Sequence, residues 1–276
     1  MTEFIEIIKY IFLGIIQGVT EIFPVSSSGH LSIFSKIFNV DTNNLTIFLM
    51  ITNAGSFLAL LWYYKKDVLG LISGSWNFIF KKKSRNEEQK INDKSEFNYV
   101  LKLILAAIPI GITGLLLKDH LPNNLLSTGI ALLVTSILLF TIYSLRNRSY
   151  TNNVTFKNAA IIGLFQAFAV FPGLSRSGIT IVGGQAQKIN LKDTLRFSFL
   201  CYLLISVPVT LLGIYDMFHT NEPIHILGYS LAFVFSFLGS LFTVKLMNKY
   251  VKVKNLIYFS IYCLIIGVTS IILFVI

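Results

Sequence analysis

Six stretches of this chain, at about residues 45 to 64, 99 to 117, 125 to 145, 194 to 215, 226 to 244 and 255 to 276, are apolar for close to twenty residues, with at most one charge each. A bilayer core of about 30 Å needs about 20 such residues in a helix, so these runs predict six transmembrane helices. Hydrophobic residues make up 54% of the chain, charged residues 13%, and the mean hydropathy is +0.70, too apolar for an ordinary soluble domain. The expectation is an all-α polytopic membrane protein, with residues 1–276 forming a single integral membrane domain.

The net charge of +10 does not point to nucleic acid, because the basic residues sit in short loops rather than along one face. The segment Lys65 to Asn98 carries eight Lys or Arg, among them Lys81, Lys82, Lys83 and Arg85, while Arg146, Arg148 and Lys157 mark a second loop and Lys245 to Lys254 a third. The positive-inside rule puts these loops in the cytoplasm. Lys118 to Asn124 and Asp216 to His225, with one Lys between them, then face outward. Asn86 to Asn98 reads as a polar, partly ordered cytoplasmic loop without assigned chemistry. Glu3 and Glu6 stand where a cleavable signal would be basic, so the N-terminus is expected to be retained. Cys201 and Cys263 lie in apolar runs and indicate neither a disulfide framework nor a zinc site.

Span parity constrains the rest. Residues 158–190 enter and leave on the inner side, and residues 1–44 must end outside. Each is therefore expected to be a re-entrant helical hairpin, broken at Pro24 and Gly29 in one and at Pro172, Gly173 and Gly178 in the other. Three spans separate the two, and an odd number inverts orientation. The prediction is an inverted-topology repeat, about 1–145 and 157–276, with a site at the repeat interface near mid-membrane.

Both hairpins carry polar chemistry. Gln17 to His30 reads QGVTEIFPVSSSGH, and a degenerate copy, QAFAVFPGLSRSG, begins about 149 residues later at Gln166. Glu21 is the one acidic residue deep in an apolar run, which makes it a functional candidate with a structural ion pair as the alternative. Gln17 lies one helical turn earlier, so the two could share a hard divalent cation or simply hydrogen-bond. Ser26, Ser27 and Ser28 suit a helix cap near Gly29, Ser28 best of the three. A hydroxyl three residues from His30 also has the spacing for an imidazole to activate it. Arg176, flanked by Ser175 and Ser177 at an expected helix start, suits a phosphate, with a salt bridge to Glu21 as the alternative. Thr52, Asn53 and Ser56 are expected to make interhelical hydrogen bonds. P-loop, dinucleotide and HExxH motifs are absent, and His120, His219 and His225 fall in predicted outer loops. Carboxylate, serine, histidine and arginine together suggest hydrolysis of a phosphate ester or anhydride.

These elements, QxxxE at Gln17 to Glu21, PVSSxGH at Pro24 to His30 and PGxSRSG at Pro172 to Gly178, closely resemble the undecaprenyl-diphosphate phosphatase, or bacitracin-resistance protein, family over nearly the whole chain. The resemblance implies a membrane hydrolase that removes the terminal phosphate of undecaprenyl diphosphate, recycling the carrier lipid for cell-wall synthesis and conferring bacitracin resistance. It also implies a multi-pass protein of the bacterial cytoplasmic membrane, a site open to the outer face, and a divalent cation, magnesium or calcium. A homodimer is compatible with it and not required. Position by position, it implies Glu21 with Gln17 as metal or water ligands, Ser27 as nucleophile, His30 as acid, base or rival nucleophile, and Arg176 with the neighbouring serines Ser26, Ser28, Ser175 and Ser177 on the diphosphate. Gln17 in place of a second acid weakens a two-carboxylate metal site. The type-2 phosphatidic-acid phosphatases fit less well, since no histidine follows Arg176 until His219. A polyprenyl-phosphate transporter or scramblase is the alternative from another class.

Overall fold

A computed structural model describes residues 2–40, 45–81, 86–117, 120–122, 124–147, 150–151, 153–219 and 225–275. Among these the protein is helical throughout, with one isolated bridge between Thr151 and Ile189 and no strand. In chain order the helices are α1 (Thr2–Ile22), α2 (Ser27–Ile37), α3 (Leu45–Tyr63), α4 (Lys65–Phe80), α5 (Glu87–Leu117), α6 (Leu125–Ser144), α7 (Phe156–Ala167), α8 (Arg176–Ala186), α9 (Leu191–His219), α10 (Ile226–Tyr250) and α11 (Leu256–Val275).

Each of the six predicted apolar runs is a helix: α3, α5, α6, α9, α10 and α11. Among the described residues, five helices (α5, α6, α9, α10 and α11) are long and apolar enough to cross a bilayer, and α3 with α4 makes a sixth if that pair, bent by 73°, is one span. The predicted cytoplasmic loop Lys65 to Asn98 is corrected. It holds α4 and the first turns of α5, and Asn86 to Asn98 is mostly helix. Charge marks the side of a membrane, not the backbone conformation. Glu87 and Glu88 favour the N-terminal end of α5, and α4 packs Gly74 against Glu96 and Phe78 against Phe97. Lys82, Lys83, Arg85, Lys118, Arg148 and residues 220–224 of the predicted loops lie outside the described residues.

Small residues set the close helix crossings. A Cβ on Gly14 would come 2.4 Å from the Ala232 carbonyl oxygen and one on Gly18 2.4 Å from that of Ser236, so α1 lies directly on the backbone of α10. Gly129 and Gly267 do the same for α6 and α11, and Gly163 for α7 on Ala106 of α5. Where lipid removes the hydrophobic drive between helices, such approach and interhelical hydroxyl bonds provide the adhesion. Ser56 bonds Ser236 at 3.0 Å, Ser240 donates to Ser56 at 2.9 Å, and Asn53 Oδ1 accepts from Tyr202 at 2.6 Å. Thr52 joins α10 through its carbonyl, which accepts from Ser236 Oγ at 2.7 Å, while its hydroxyl turns onto Phe48 O of its own helix.

Helices α1 and α2 fold back as a hairpin, with Lys9 donating to Phe38 O and Phe12 against Phe34 and Phe38. Helices α7 and α8 form a second one, closed by Asn158 Nδ2 donating to Gln187 Oε1 at 2.8 Å. The tips of these two hairpins carry the motif residues.

Candidate active site

The first tip starts on α1, where Gln17 and Glu21 are one turn apart on one side and Gln17 Nε2 donates to Glu21 Oε2 at 3.0 Å. The helix stops at Ile22 ahead of Pro24, which has no N–H to continue the ladder. Ser26, at φ 71°, caps α2 by accepting from Gly29 N at 3.3 Å. Cap and helix start therefore fall earlier than expected: Ser26 caps rather than Ser28, and Ser27 is the first helical residue.

Ser27 Oγ donates to Glu21 Oε2 at 2.5 Å. The expected Ser27–His30 contact is replaced by this one, because His30 uses both ring nitrogens elsewhere. Its Nδ1 lies 2.7 Å from Ser26 O and its Nε2 2.8 Å from the Tyr262 hydroxyl. A carbonyl oxygen only accepts, so Nδ1 carries the proton, and in the neutral ring Nε2 accepts from Tyr262.

The second tip repeats the plan. Pro172 and Gly173, at φ 92°, turn the chain, Ser175 caps by accepting from Gly178 N at 3.1 Å, and α8 begins at Arg176. Ser175 N donates to Thr135 Oγ1 at 3.3 Å, tying the turn to α6.

The two tips meet. Gly173 N donates to Ser28 Oγ at 3.3 Å, and Ser177 Oγ donates to Phe23 O at 3.2 Å. A Cβ on Gly29 would sit 3.4 Å from Gly173 Cα, which is why the turns can touch. The starts of α2 and α8 therefore converge, and two sets of helix N-terminal N–H groups favour an anion between them.

Arg176 forms no ion pair with Glu21; the ion pairs among the described residues are Lys90–Glu87 and Arg196–Asp67. Its guanidinium lies over the Tyr202 ring, 5.0 Å from the centroid, and Nε and Nη1 are buried without a hydrogen-bond partner. Unpaired buried donors on a fork-shaped cation match a phosphate. The four flanking serines act largely as fasteners: Ser26 and Ser175 cap, while Ser28 and Ser177 bond the opposite turn.

Among the described residues no group of three or more His, Cys, Asp and Glu is arranged to hold a metal. A smaller donor set exists. Gln17 Oε1 is buried without a partner beside the Glu21 carboxylate, two hard oxygens such as magnesium takes when phosphate and water complete its shell.

Tyr202, Tyr262, Thr135 and Asn53 join the site although the motifs do not contain them. A tyrosine inside an apolar run must satisfy its hydroxyl, which was the available signal, but the chain has 12 tyrosines and spacing does not separate these two from the rest.

Fold and site together define a polytopic, all-helical protein of the membrane type in which two polar turns meet. The sequence matches the bacitracin resistance protein BacA family over residues 10–269. It is 60% identical over 280 residues to an undecaprenyl-diphosphatase of Acholeplasma laidlawii (strain PG-8A), covering all of both chains. It is also 38% identical over 272 residues to an undecaprenyl-diphosphatase of Oceanobacillus iheyensis, covering 96% of each chain, and 36% identical over 275 residues to undecaprenyl-diphosphatase 1 of Bacillus licheniformis, covering 98% of this chain and 99% of that one. The chain belongs to the BacA family.

Proposed function

We propose that this protein is an undecaprenyl-diphosphate phosphatase of the bacterial cell membrane, which returns the carrier lipid to its monophosphate for cell-wall synthesis and thereby confers bacitracin resistance. The observation that carries this reading is the docking of the two hairpin tips, which joins a serine hydrogen-bonded to a carboxylate with a guanidinium whose Nε and Nη1 are buried and unpaired.

The chemistry follows from those groups. Arg176 Nε and Nη1 and the N-termini of α2 and α8 take the diphosphate oxygens. Glu21 accepts the Ser27 proton as Oγ bonds to the terminal phosphorus. The bridging P–O bond breaks, and undecaprenyl phosphate leaves with that electron pair. Water then attacks the phosphoserine, the P–Oγ bond breaks with its electron pair going to Oγ, which regains its proton from Glu21, and inorganic phosphate departs carrying the oxygen and both protons of the water. Gln17 and Glu21 would hold a magnesium or calcium ion, which supplies charge neutralisation on the phosphate when bound.

The same reading makes α1–α2 and α7–α8 re-entrant and the chain an inverted repeat, with the site open to the outer face. Helix packing supports it. Exchanging α1, α3, α5 and α6 for α7, α9, α10 and α11 turns the α1–α10 contact into α7–α5 and α3–α10 into α9–α5, and leaves α3–α9 and α6–α11 unchanged. Because this architecture is also a transporter's, the deciding experiment has two arms. Purified protein should release inorganic phosphate from undecaprenyl diphosphate. Absence of release together with movement of a labelled polyprenyl phosphate across proteoliposomes would replace the hydrolase with the transporter.

A further inference from the structure

Among the described residues, three non-glycine residues have positive φ: Asn39 (49°), Lys188 (64°) and Ser26 (71°). Asn39 and Lys188 follow the C-terminal ends of α2 and α8, where a left-handed residue is an ordinary helix stop. Ser26 is at the opposite end. An N-cap normally takes extended backbone, as Ser175 does at φ −77° and ψ 113°, whereas Ser26 has φ 71° and ψ 99°. A side-chain-bearing residue held there needs surroundings that overdetermine it.

Those surroundings are specific. The Ser26 carbonyl accepts from two groups of one residue, His30 Nδ1 at 2.7 Å and His30 N at 3.3 Å. The imidazole, 1% exposed, lies parallel to the Tyr262 ring, with 5° between planes and centroids 5.4 Å apart, and the Tyr262 hydroxyl on α11 holds Nε2 at 2.8 Å. The second turn provides an internal control. Its cap Ser175 is unstrained, and the residue four positions on is Ile179, which donates only its backbone N–H to Ser175 O, at 2.8 Å. The histidine occurs where the strained cap occurs.

We propose that Tyr262 and His30 form a strut that holds Ser26 in its left-handed conformation and so presents Ser27 to Glu21. Both are positioning residues, and His30 is not the group that attacks phosphorus. The proposal rests on the assignment of Ser27 as the attacking hydroxyl.

The test pairs a loss with a rescue. Tyr262→Phe keeps the stacked ring and removes the hydroxyl, and kcat should fall about tenfold with KM within about twofold, the effect of one lost hydrogen bond. Adding Ser26→Gly, which takes positive φ without strain and is tolerated as an N-cap, should return kcat to within about threefold of the unmodified protein. Failure of the glycine to rescue would show that His30 works on the reacting atoms and would overturn the strut. Selective ¹⁵N labelling of the four histidines gives a second readout that needs no turnover. The His30 signals should show a protonated Nδ1 and a hydrogen-bonded, unprotonated Nε2, and in Tyr262→Phe the Nε2 signal alone should move toward a free lone pair. A protonated Nε2 in the unmodified protein, or no change in the variant, would overturn the proposal. If the unmodified protein released no phosphate, the hydrolase reading would fall, and these nitrogen signals would still decide whether the strut exists.

Discussion

The turn at Pro24 to Gly29 and the turn at Pro172 to Gly178 share one design and divide its labour. Each has a proline, a serine cap bonded to a glycine N–H three residues on, and hydroxyls two residues apart that face each other, Ser26 with Ser28 at 3.5 Å and Ser175 with Ser177 at 3.2 Å. Each starts a helix of 11 residues, α2 and α8. They differ at the first helical position, Ser27 in one and Arg176 in the other. They differ again one turn before the break, where Glu21 has Val170 as its counterpart. One scaffold thus presents a serine hydroxyl hydrogen-bonded to a carboxylate, which the proposed mechanism uses as nucleophile and base, and the other a cation. Strain is placed on the side that carries the hydroxyl. Neither turn alone can both bind a diphosphate and attack it.

The largest effects should come from removing what each turn uniquely supplies. Ser27→Ala and Glu21→Gln should each lower kcat by about 10³-fold, within the usual range for loss of an activated nucleophile or its base. Trapping of a phosphoenzyme should succeed at Ser27 and fail at His30; a phosphohistidine would falsify the assignment of roles to the first turn. Arg176→Lys should cost about 10²-fold, since a point charge cannot reproduce the two-pronged contact, and near-normal hydrolysis would take the second turn out of the chemistry.

Chelation comes next. Excess chelator should abolish phosphate release and added magnesium restore it, and Gln17→Ala should raise the magnesium concentration needed. Full activity in chelator would leave Glu21 as a base alone.

Stability tests the comparison more finely. Gly173→Ala should destabilise the protein by about 2 kcal/mol in thermal unfolding, because φ is 92° and the new Cβ would lie 2.8 Å from Thr128 O. The smallest effects should have opposite signs. Ser175→Gly should lower the stability read from thermal unfolding by about a few tenths of a kcal/mol, whereas Ser26→Gly should leave it unchanged or raise it, since about 1 kcal/mol of relieved strain offsets the lost cap. Equal destabilisation by both would mean that Ser26 is not strained.

Much of this was legible from residue order because lipid is an unforgiving solvent. Apolar runs of about 20 residues with at most one charge have few folds open to them, and all six are helices here. Prolines and glycines within polar interruptions located both turns, and Glu21 and Arg176 stood out because burial of charge needs a reason. The α4 helix was hidden by its lysines, whose positions report topology rather than conformation.

Sequence alone therefore determined the solvent, the six long apolar helices, the two breaks and the list of reactive groups, since each depends on local composition and on the cost of polarity in lipid. Tertiary structure alone decided who pairs with whom. Ser27 meets Glu21 and not His30 because the chain turns at a left-handed Ser26, a dihedral choice that spacing along a helix does not reveal. His30 reaches Tyr262 across 232 residues, and Ser28 meets Gly173 across 145. Such contacts arise when separate helices pack, and the energies that select them are distributed over the whole bundle rather than written in either segment.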